Sequence, residues 1–309
     1  MSAPRHAHRH PKVVGRAAVV ALSVLLLTGC RGTASGLGAS GSTDPSRPTV
    51  VAAFYPLAYA AQRIGGDGVT VVSLTPPGVE PHDLELSATQ VAQIAEADLV
   101  LYVPGFQPAV DEAVAQQAPD RALDVTEGLP LRAGPDGATD PHVWLDPTAM
   151  SAIGGAVASR LAEIPQANAA SIAAGAQALS SDLAGLDAEY RAGLASCRVR
   201  DLVVSHEAFG YLADAYGMTQ VGISGLSPDA EPSPARLREV ADLVKRDGVG
   251  TVYYETLVSP SVAETLAAET GATAAALDPL EGLADGSTDD YLSVMRANLA
   301  TLMQGQGCS

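Results

Sequence analysis

The amino-acid sequence predicts an α/β protein built on parallel sheets, and three observations lead there. Short β-branched runs alternate with Ala- and Leu-rich helical stretches, the pattern of strands joined by helical crossovers. A thirty-residue stretch in the middle, 166–195, has no proline and interrupts that alternation. Beyond it the alternation resumes, so the two halves echo one another in architecture without an obvious sequence repeat.

In the first half, strands are expected at 49–53, 69–74, 98–103 and 122–125, with helices near 56–64, 87–95 and 107–117. Ser87 is placed to cap the second of these helices. Across 166–195, Ile172, Ala176, Leu179, Leu183, Leu186, Tyr190 and Leu194 recur at spacings of three and four, which is one face of a single long helix. At 1.5 Å per residue it would extend roughly 45 Å and could bridge two lobes. A hairpin broken at Gly175 or Gly185 is the alternative, because interior glycine weakens a helix. In the second half, strands are expected at 201–205, 218–223, 250–254 and 273–277, and helices at 207–216, 234–247, 260–269 and 289–303. The expected division is therefore a first α/β lobe over 48–165, a linker helix over 166–195 and a second α/β lobe over 196–309.

The N-terminus speaks to compartment. Arg5, Arg9, Lys12 and Arg16 precede an apolar run over 17–27 that is too short to span a bilayer, for which about 20 residues are needed. Its length suits a secretory signal. The run ends in Leu27-Thr28-Gly29-Cys30, which resembles a bacterial lipobox, so residues 1–29 are expected to be a signal peptide and Cys30 the lipidated residue. The Gly-, Ser- and Thr-rich stretch 30–47 reads as a flexible tether. This places the protein outside the cytoplasm, anchored to the outer face of the cell membrane. Removing 1–29 leaves 14 Lys and Arg against 35 Asp and Glu, a charge of −21. Such a surface excludes nucleic acid as a partner, since phosphates need cations. Cys197 and Cys308 remain, and export permits them to pair and pin the C-terminal tail; two free thiols are the alternative.

Of six histidines, His6, His8 and His10 fall in the signal segment. His82, His142 and His206 remain, in the contexts Glu80-Pro81-His82-Asp83, Asp140-Pro141-His142-Val143 and Val204-Ser205-His206-Glu207. Proline beside a ligand holds its backbone in place, and loops at strand ends of α/β sheets are where ligands bind. Three imidazoles and a carboxylate would complete a tetrahedral zinc site. Spacing alone leaves that reading level with three unrelated hydrogen-bonding histidines.

The stretches "GVEPHDLELSATQV", "DPHVWLDP", "VVSHEAFGYLADAYGM", "SPDAEPSPARL", "YYETLVSP" and "LDPLEG" resemble, in order from about Thr49 to the C-terminus, the signatures of the zinc/manganese-type (cluster A-I) solute-binding proteins of ABC transporters, some of which were described as adhesins. The resemblance implies two small α/β lobes, each a parallel-sheet sandwich, joined by one long helix with the metal in the cleft. It implies His82, His142, His206 and Asp278 as ligands, and a histidine in third place resembles the zinc-binding members, with Mn2+ as the alternative cargo. Three nitrogens also suit zinc, whereas manganese favours oxygen. Many zinc members carry a His-rich loop between the first two ligands; here 130–140 is short and has no histidine.

Asp83, Asp140 and Glu255 are candidates for carboxylates that orient the histidines, although Asp83 and Asp140 also suit turns. Asp146 before Pro147 reads as a helix cap and Trp144 as a packing residue. The implied partners are a divalent metal, an integral-membrane permease with its ATPase, and the membrane through the lipid; the chain is expected to be a monomer and not an enzyme. A zinc hydrolase or a purely adhesive surface lipoprotein are the readings from other classes. Neither an HExxH helix, a GxGxxG turn nor a Walker loop occurs.

Overall fold

The computed structural model describes residues 47–134 and 137–309. The expected signal segment, Cys30 and all of the tether but Arg47 lie outside the described residues.

Strands β1 (Thr49–Ala52), β2 (Thr70–Ser73), β3 (Leu99–Tyr102) and β4 (Ala122–Asp124) form a parallel sheet in the order β2-β1-β3-β4. Strands β5 (Asp201–Val204), β6 (Thr219–Gly222), β7 (Thr251–Tyr254) and β8 (Thr273–Ala276) form a second parallel sheet in the order β6-β5-β7-β8. Their central strands are continuous apolar runs because helices cover both faces: Val50, Val51, Ala52, Val100 and Leu101 are wholly buried, as are Leu202 and Val203. Each sheet reverses its direction of growth between its first and third strand. That reversal opens a crevice beyond the C-terminal strand ends, where such folds bind ligands.

The helices are α1 (Tyr55–Gly65), α2 (Ala88–Glu96), α3 (Pro108–Gln117), α4 (Pro147–Ala162), α5 (Ala169–Gly193), α6 (Gly210–Ala215), α7 (Pro234–Asp247), α8 (Ser261–Thr270) and α9 (Tyr291–Gly305). Ser87 starts α2 with a reciprocal capping box to Gln90. Asp146 caps α4 through the Thr148 N–H, and Pro147 sits in the first turn, where a missing N–H costs nothing.

The central helix is continuous but shorter than 166–195. Asn168 caps it through the Ala170 and Ser171 N–H groups, and at 25 residues it extends roughly 37 Å. Gly175 does not break it. A Cβ there would run into the Ile64 carbonyl, so this glycine is what lets α1 and α5 approach closely.

Across α5 the two halves share a core. One buried cluster takes in Val51, Leu101 and Trp144 from the first half, Leu179 and Leu186 from α5, and Leu202, Phe209 and Tyr291 from the second. The Tyr190 hydroxyl donates to the Met295 carbonyl, and Arg296 pairs with Glu189, fastening α9 to α5. A smaller cluster under α7 and α8 holds Val240, Val244, Val252 and Leu266. A disulfide joins Cys197 to Cys308. Beside it the buried Gln306 amide donates to the Val199 and Asp201 carbonyls, keeping the C-terminus against the start of β5. Among the described residues no helix is long and apolar enough to cross a membrane.

Candidate metal centre

His82 lies in the loop after β2. Gln107 donates to the Pro81 carbonyl and to Thr75, the Gly78 N–H reaches across to the Leu283 carbonyl, and the His82 N–H is accepted by the Glu80 carboxylate. Its ring stands edge-on to Phe106, centroids 4.6 Å apart, and its side chain is 10% exposed. His142 precedes a short 3-10 turn, Val143–Leu145, and is fully buried. Asp140 accepts its main-chain N–H at 3.0 Å and faces its Nδ1 at 2.9 Å.

His206 leaves the end of β5. The expected helix 207–216 forms only as α6, because Glu207 and Ala208 are used in a tight turn: the Ala208 N–H returns to the His206 carbonyl and the Glu207 N–H to Gly225. The Nδ1 of His206 is 2.7 Å from Glu255 Oε1, an ion-pair distance without the alignment of a good hydrogen bond. Glu255 follows β7 and also accepts from the Ser205 hydroxyl.

The fourth member is Glu281, after β8 and 2% exposed. Its Oε1 lies 3.5 Å from His82 Nε2, 3.2 Å from His142 Nε2 and 3.2 Å from His206 Nε2, and the last two nitrogens are 3.4 Å apart. All four atoms lie within 4.8 Å of one another. A tetrahedral zinc ion with bonds of about 2.0–2.1 Å has its ligand atoms about 3.3–3.4 Å apart. Four of the six edges, at 3.2–3.5 Å, therefore already lie within about 0.1 Å of that range. Glu281 Oε1 and His82 Nε2 have no well-aligned hydrogen bond, being aimed at a common point instead of at one another.

Two of the imidazoles have a carboxylate on Nδ1, which leaves Nε2 as the nitrogen that faces the centre. Burial pushes the His206 pKa down, but Glu281 and Glu255 outweigh it and hold the ring up at about 10. His142 behaves likewise: burial lowers it, and Asp140 and Glu281 raise it further. Burial would raise Glu281, yet the surrounding histidines hold its carboxyl well below the ordinary range. Burial, with Glu281 nearby, pushes Glu80 up to about 8. The metal-free centre is thus a buried acid neutralised by imidazolium, a charge set that a dication can replace.

Asp278, the expected fourth ligand, does not point into this group. Its carboxylate accepts from the Leu280 N–H at 2.7 Å and the Thr256 hydroxyl at 2.8 Å, which turns it away, and Glu281 takes the place three residues on. Asp140 and Glu255 meet histidines; Asp83 is exposed and meets Asp229 instead, raising that carboxyl. Trp144 packs behind His142, centroids 5.3 Å apart, with its indole N–H on the Pro279 carbonyl. Sequence reasoning misses Glu281 although a signal is present: an Asp-Pro-Leu turn favours Asp as a local hydrogen-bond acceptor and leaves the next acid free.

A two-lobed α/β fold with a convergent three-histidine, one-carboxylate centre defines a class of metal-binding protein, and comparison gives the class its family. Residues 50–305 match the family described as zinc-uptake complex component A, periplasmic, and the chain belongs to it. It is 32% identical over 305 residues to the high-affinity zinc uptake system protein ZnuA of Bacillus subtilis, covering 92% of this chain and 95% of that protein. It is 35% identical over 276 residues to the zinc-binding lipoprotein AdcA of Streptococcus pneumoniae serotype 4, covering 82% of this chain and 55% of AdcA. The chain thus spans about half the length of the AdcA relatives. Among solved structures, the Zn(II)-bound ZnuA-like domain of Streptococcus pneumoniae AdcA superposes with a TM-score of 0.74 at 34% identity, covering 84% of this chain and 99% of that one. The laminin-binding protein Lmb of Streptococcus agalactiae, described as having adhesin and metal-transporting activity, gives 0.76 at 32% identity over 84% and 99%.

Proposed function

We propose that the protein captures Zn2+ outside the cytoplasmic membrane through His82, His142, His206 and Glu281, and passes it to an ABC-type permease with its ATPase. The observation that carries this reading is the convergence of three Nε2 atoms and one carboxylate oxygen at zinc-sized spacings. Four protein ligands close a tetrahedral shell and leave no position for an activated water, which favours binding over hydrolysis. Three nitrogens favour Zn2+ over Mn2+. The protein works as a monomer tethered through a lipid on Cys30, so capture and hand-over happen at the membrane face.

Binding exchanges protons for metal. With His206 held up at about 10, the metal-free protein is protonated at neutral pH, and Zn2+ releases those protons as it binds. The test is a zinc titration of the chelator-stripped protein, followed by Trp144 emission and by melting temperature, with manganese in competition and His206→Ala in parallel. At a hundred times its dissociation constant zinc should stabilise the fold by about 2.7 kcal/mol. A one-to-one response that outcompetes manganese and is lost in His206→Ala is expected. The adhesive reading, which the likeness to Lmb brings in, predicts that laminin binding survives that substitution; a zinc response indifferent to it would overturn the capture site.

A further inference from the structure

We infer that Asp278 is the positioning residue that aims Glu281 at the three histidines, acting as a clamp on the left-handed Leu280 between them. The inference rests on the reading of Glu281 as a ligand.

Leu280 has φ 56°, the single positive value for a residue other than glycine among the described residues. A branched side chain disfavours that region, so the surroundings must hold it there. They do so at each step of the turn. The Asn298 amide from α9 brackets Asp278, accepting from its N–H at 2.9 Å and donating to its carbonyl at 2.7 Å. Trp144 Nε1 holds the Pro279 carbonyl at 2.8 Å. The Asp278 carboxylate takes the Leu280 N–H itself, an Asx turn, while its other oxygen is kept in place by Thr256. Past the turn, the Leu283 carbonyl is tied to the Gly78 N–H on the His82 loop. Leu280 is fully buried, and the reversal at its α-carbon directs the next side chain, Glu281, inward to its 3.2 Å and 3.5 Å approaches.

Asn298, Trp144 and Gly78 hold the turn at its flanks. Asp278 alone of these groups bonds the N–H of the left-handed residue, and that sets it apart. A left-handed leucine released from its acceptor relaxes toward negative φ, and such a rotation swings the Glu281 carboxylate off the common point. Glycine populates positive φ without help, so the need for the clamp depends on the side chain at 280.

The experiment is a double-mutant cycle read two ways, by zinc affinity and by melting temperature of the metal-free protein. Asp278→Ala should weaken zinc ~10- to 100-fold, as loss of a ligand-orienting group does. Asp278→Asn keeps the acceptor and should stay near the parent. Asp278→Ser, a weaker turn acceptor, should fall between and replaces the alanine variant if that one does not fold. In a Leu280→Gly background the affinity loss from Asp278→Ala should shrink to within ~3-fold, and the added fall in metal-free melting temperature should shrink with it. Equal losses for Asp278→Asn and Asp278→Ala, the same in both backgrounds, would overturn the clamp and make Asp278 a ligand. Glu281→Ala is run beside them: if it leaves zinc affinity unchanged, the ligand reading itself has failed, whereas a large loss there with a silent Asp278→Ala sinks the clamp alone.

Discussion

At the switch point of the first sheet the chain places Phe54, just past β1, and Phe106, just past β3, with ring centroids 4.6 Å apart. At the switch point of the second it places His206 past β5 and Glu255 past β7, with Nδ1 and Oε1 2.7 Å apart. The strand order is the same in both sheets. One crevice is plugged with aromatic surface, and the other supplies charge. The plug is not idle: Phe106 lies against His82, and Phe54 and Phe106 both pack on Trp144 behind His142. It backs the histidines with a buried apolar wall, and in such surroundings the attraction between imidazolium and carboxylate is stronger than in solvent. The first half therefore sends its two histidines, His82 and His142, in on loops from its outer strands, β2 and β4, and the second half uses a central strand end for His206.

That division of labour is sharpened by substituting each side. Phe54→Ala removes a wholly buried ring and should lower stability by about 3–5 kcal/mol, the usual cost of such a truncation, with zinc affinity nearly unchanged. Denaturant unfolding of the metal-free protein beside a zinc titration checks this; a large affinity loss at unchanged stability would break the comparison. Glu255→Gln acts on the other side. The amide keeps the shape of the side chain but no longer holds a proton on His206 Nδ1 by charge, so zinc affinity should fall ~10- to 100-fold. Competition with a chelator of known affinity measures it, and the neighbouring Ser205→Ala should have a smaller effect because it only steadies Glu255.

The charged side is the harder one to read from sequence. Strands, helices and the long central helix follow from periodicity and capping residues, and α4 is foreshadowed only by its cap, Asp146, because its small residues Ala149, Gly154, Gly155 and Ala156 blur the period. His82, His142 and His206 stand out by scarcity and Pro context. Which acid completes the group does not, because Asp278 and Glu281 are three residues apart and the choice turns on one left-handed residue, a conformation that composition conceals. The Glu255–His206 contact joins residues 49 apart in sequence across neighbouring strands, so it belongs to topology and not to any local motif.

The same pairs set a pH response. His206 is held up at about 10 in the fold, because Glu281 and Glu255 outweigh its burial, whereas an unfolded histidine titrates near ~6.5. A raised pKa stabilises the state that holds the proton, so this contribution is complete below about pH 6.5 and is lost as pH climbs toward about 10. Glu281, held low, contributes the opposite edge: its share is present above the ordinary carboxylate range and lost as pH falls through its lowered value. The metal-free protein should therefore melt at progressively lower temperature between pH 7 and 10, while the zinc-loaded protein, whose histidines are neutral ligands, should not. In Glu255→Gln, where the folded-state pKa of His206 is lower, the alkaline fall should be smaller and should end at lower pH. A flat metal-free profile over that range would mean that the acids and His206 are not in contact in solution.

The smallest effect expected is in shape. A hinge protein closes around its ligand when its domains share little packing, and the hinge is a few loop residues. Here Leu179, Leu186 and Tyr190 of α5 lie in one buried cluster with residues of both sheets, and α9 is fastened to α5 by Tyr190 and by the Arg296–Glu189 pair. Rotating one half against the other would have to open that core. The cross-connection from Gly78 to Leu283, by contrast, is one main-chain hydrogen bond between two loops, and His82 beside it is the most exposed of the three histidines. Zinc release should therefore move the His82 loop and leave the halves in place. Small-angle scattering should give the same radius of gyration with and without zinc, while amide exchange quickens over 76–86 when zinc is removed. A change in the radius of gyration without faster exchange in that loop would put the motion in the halves and show that the shared core is no brace.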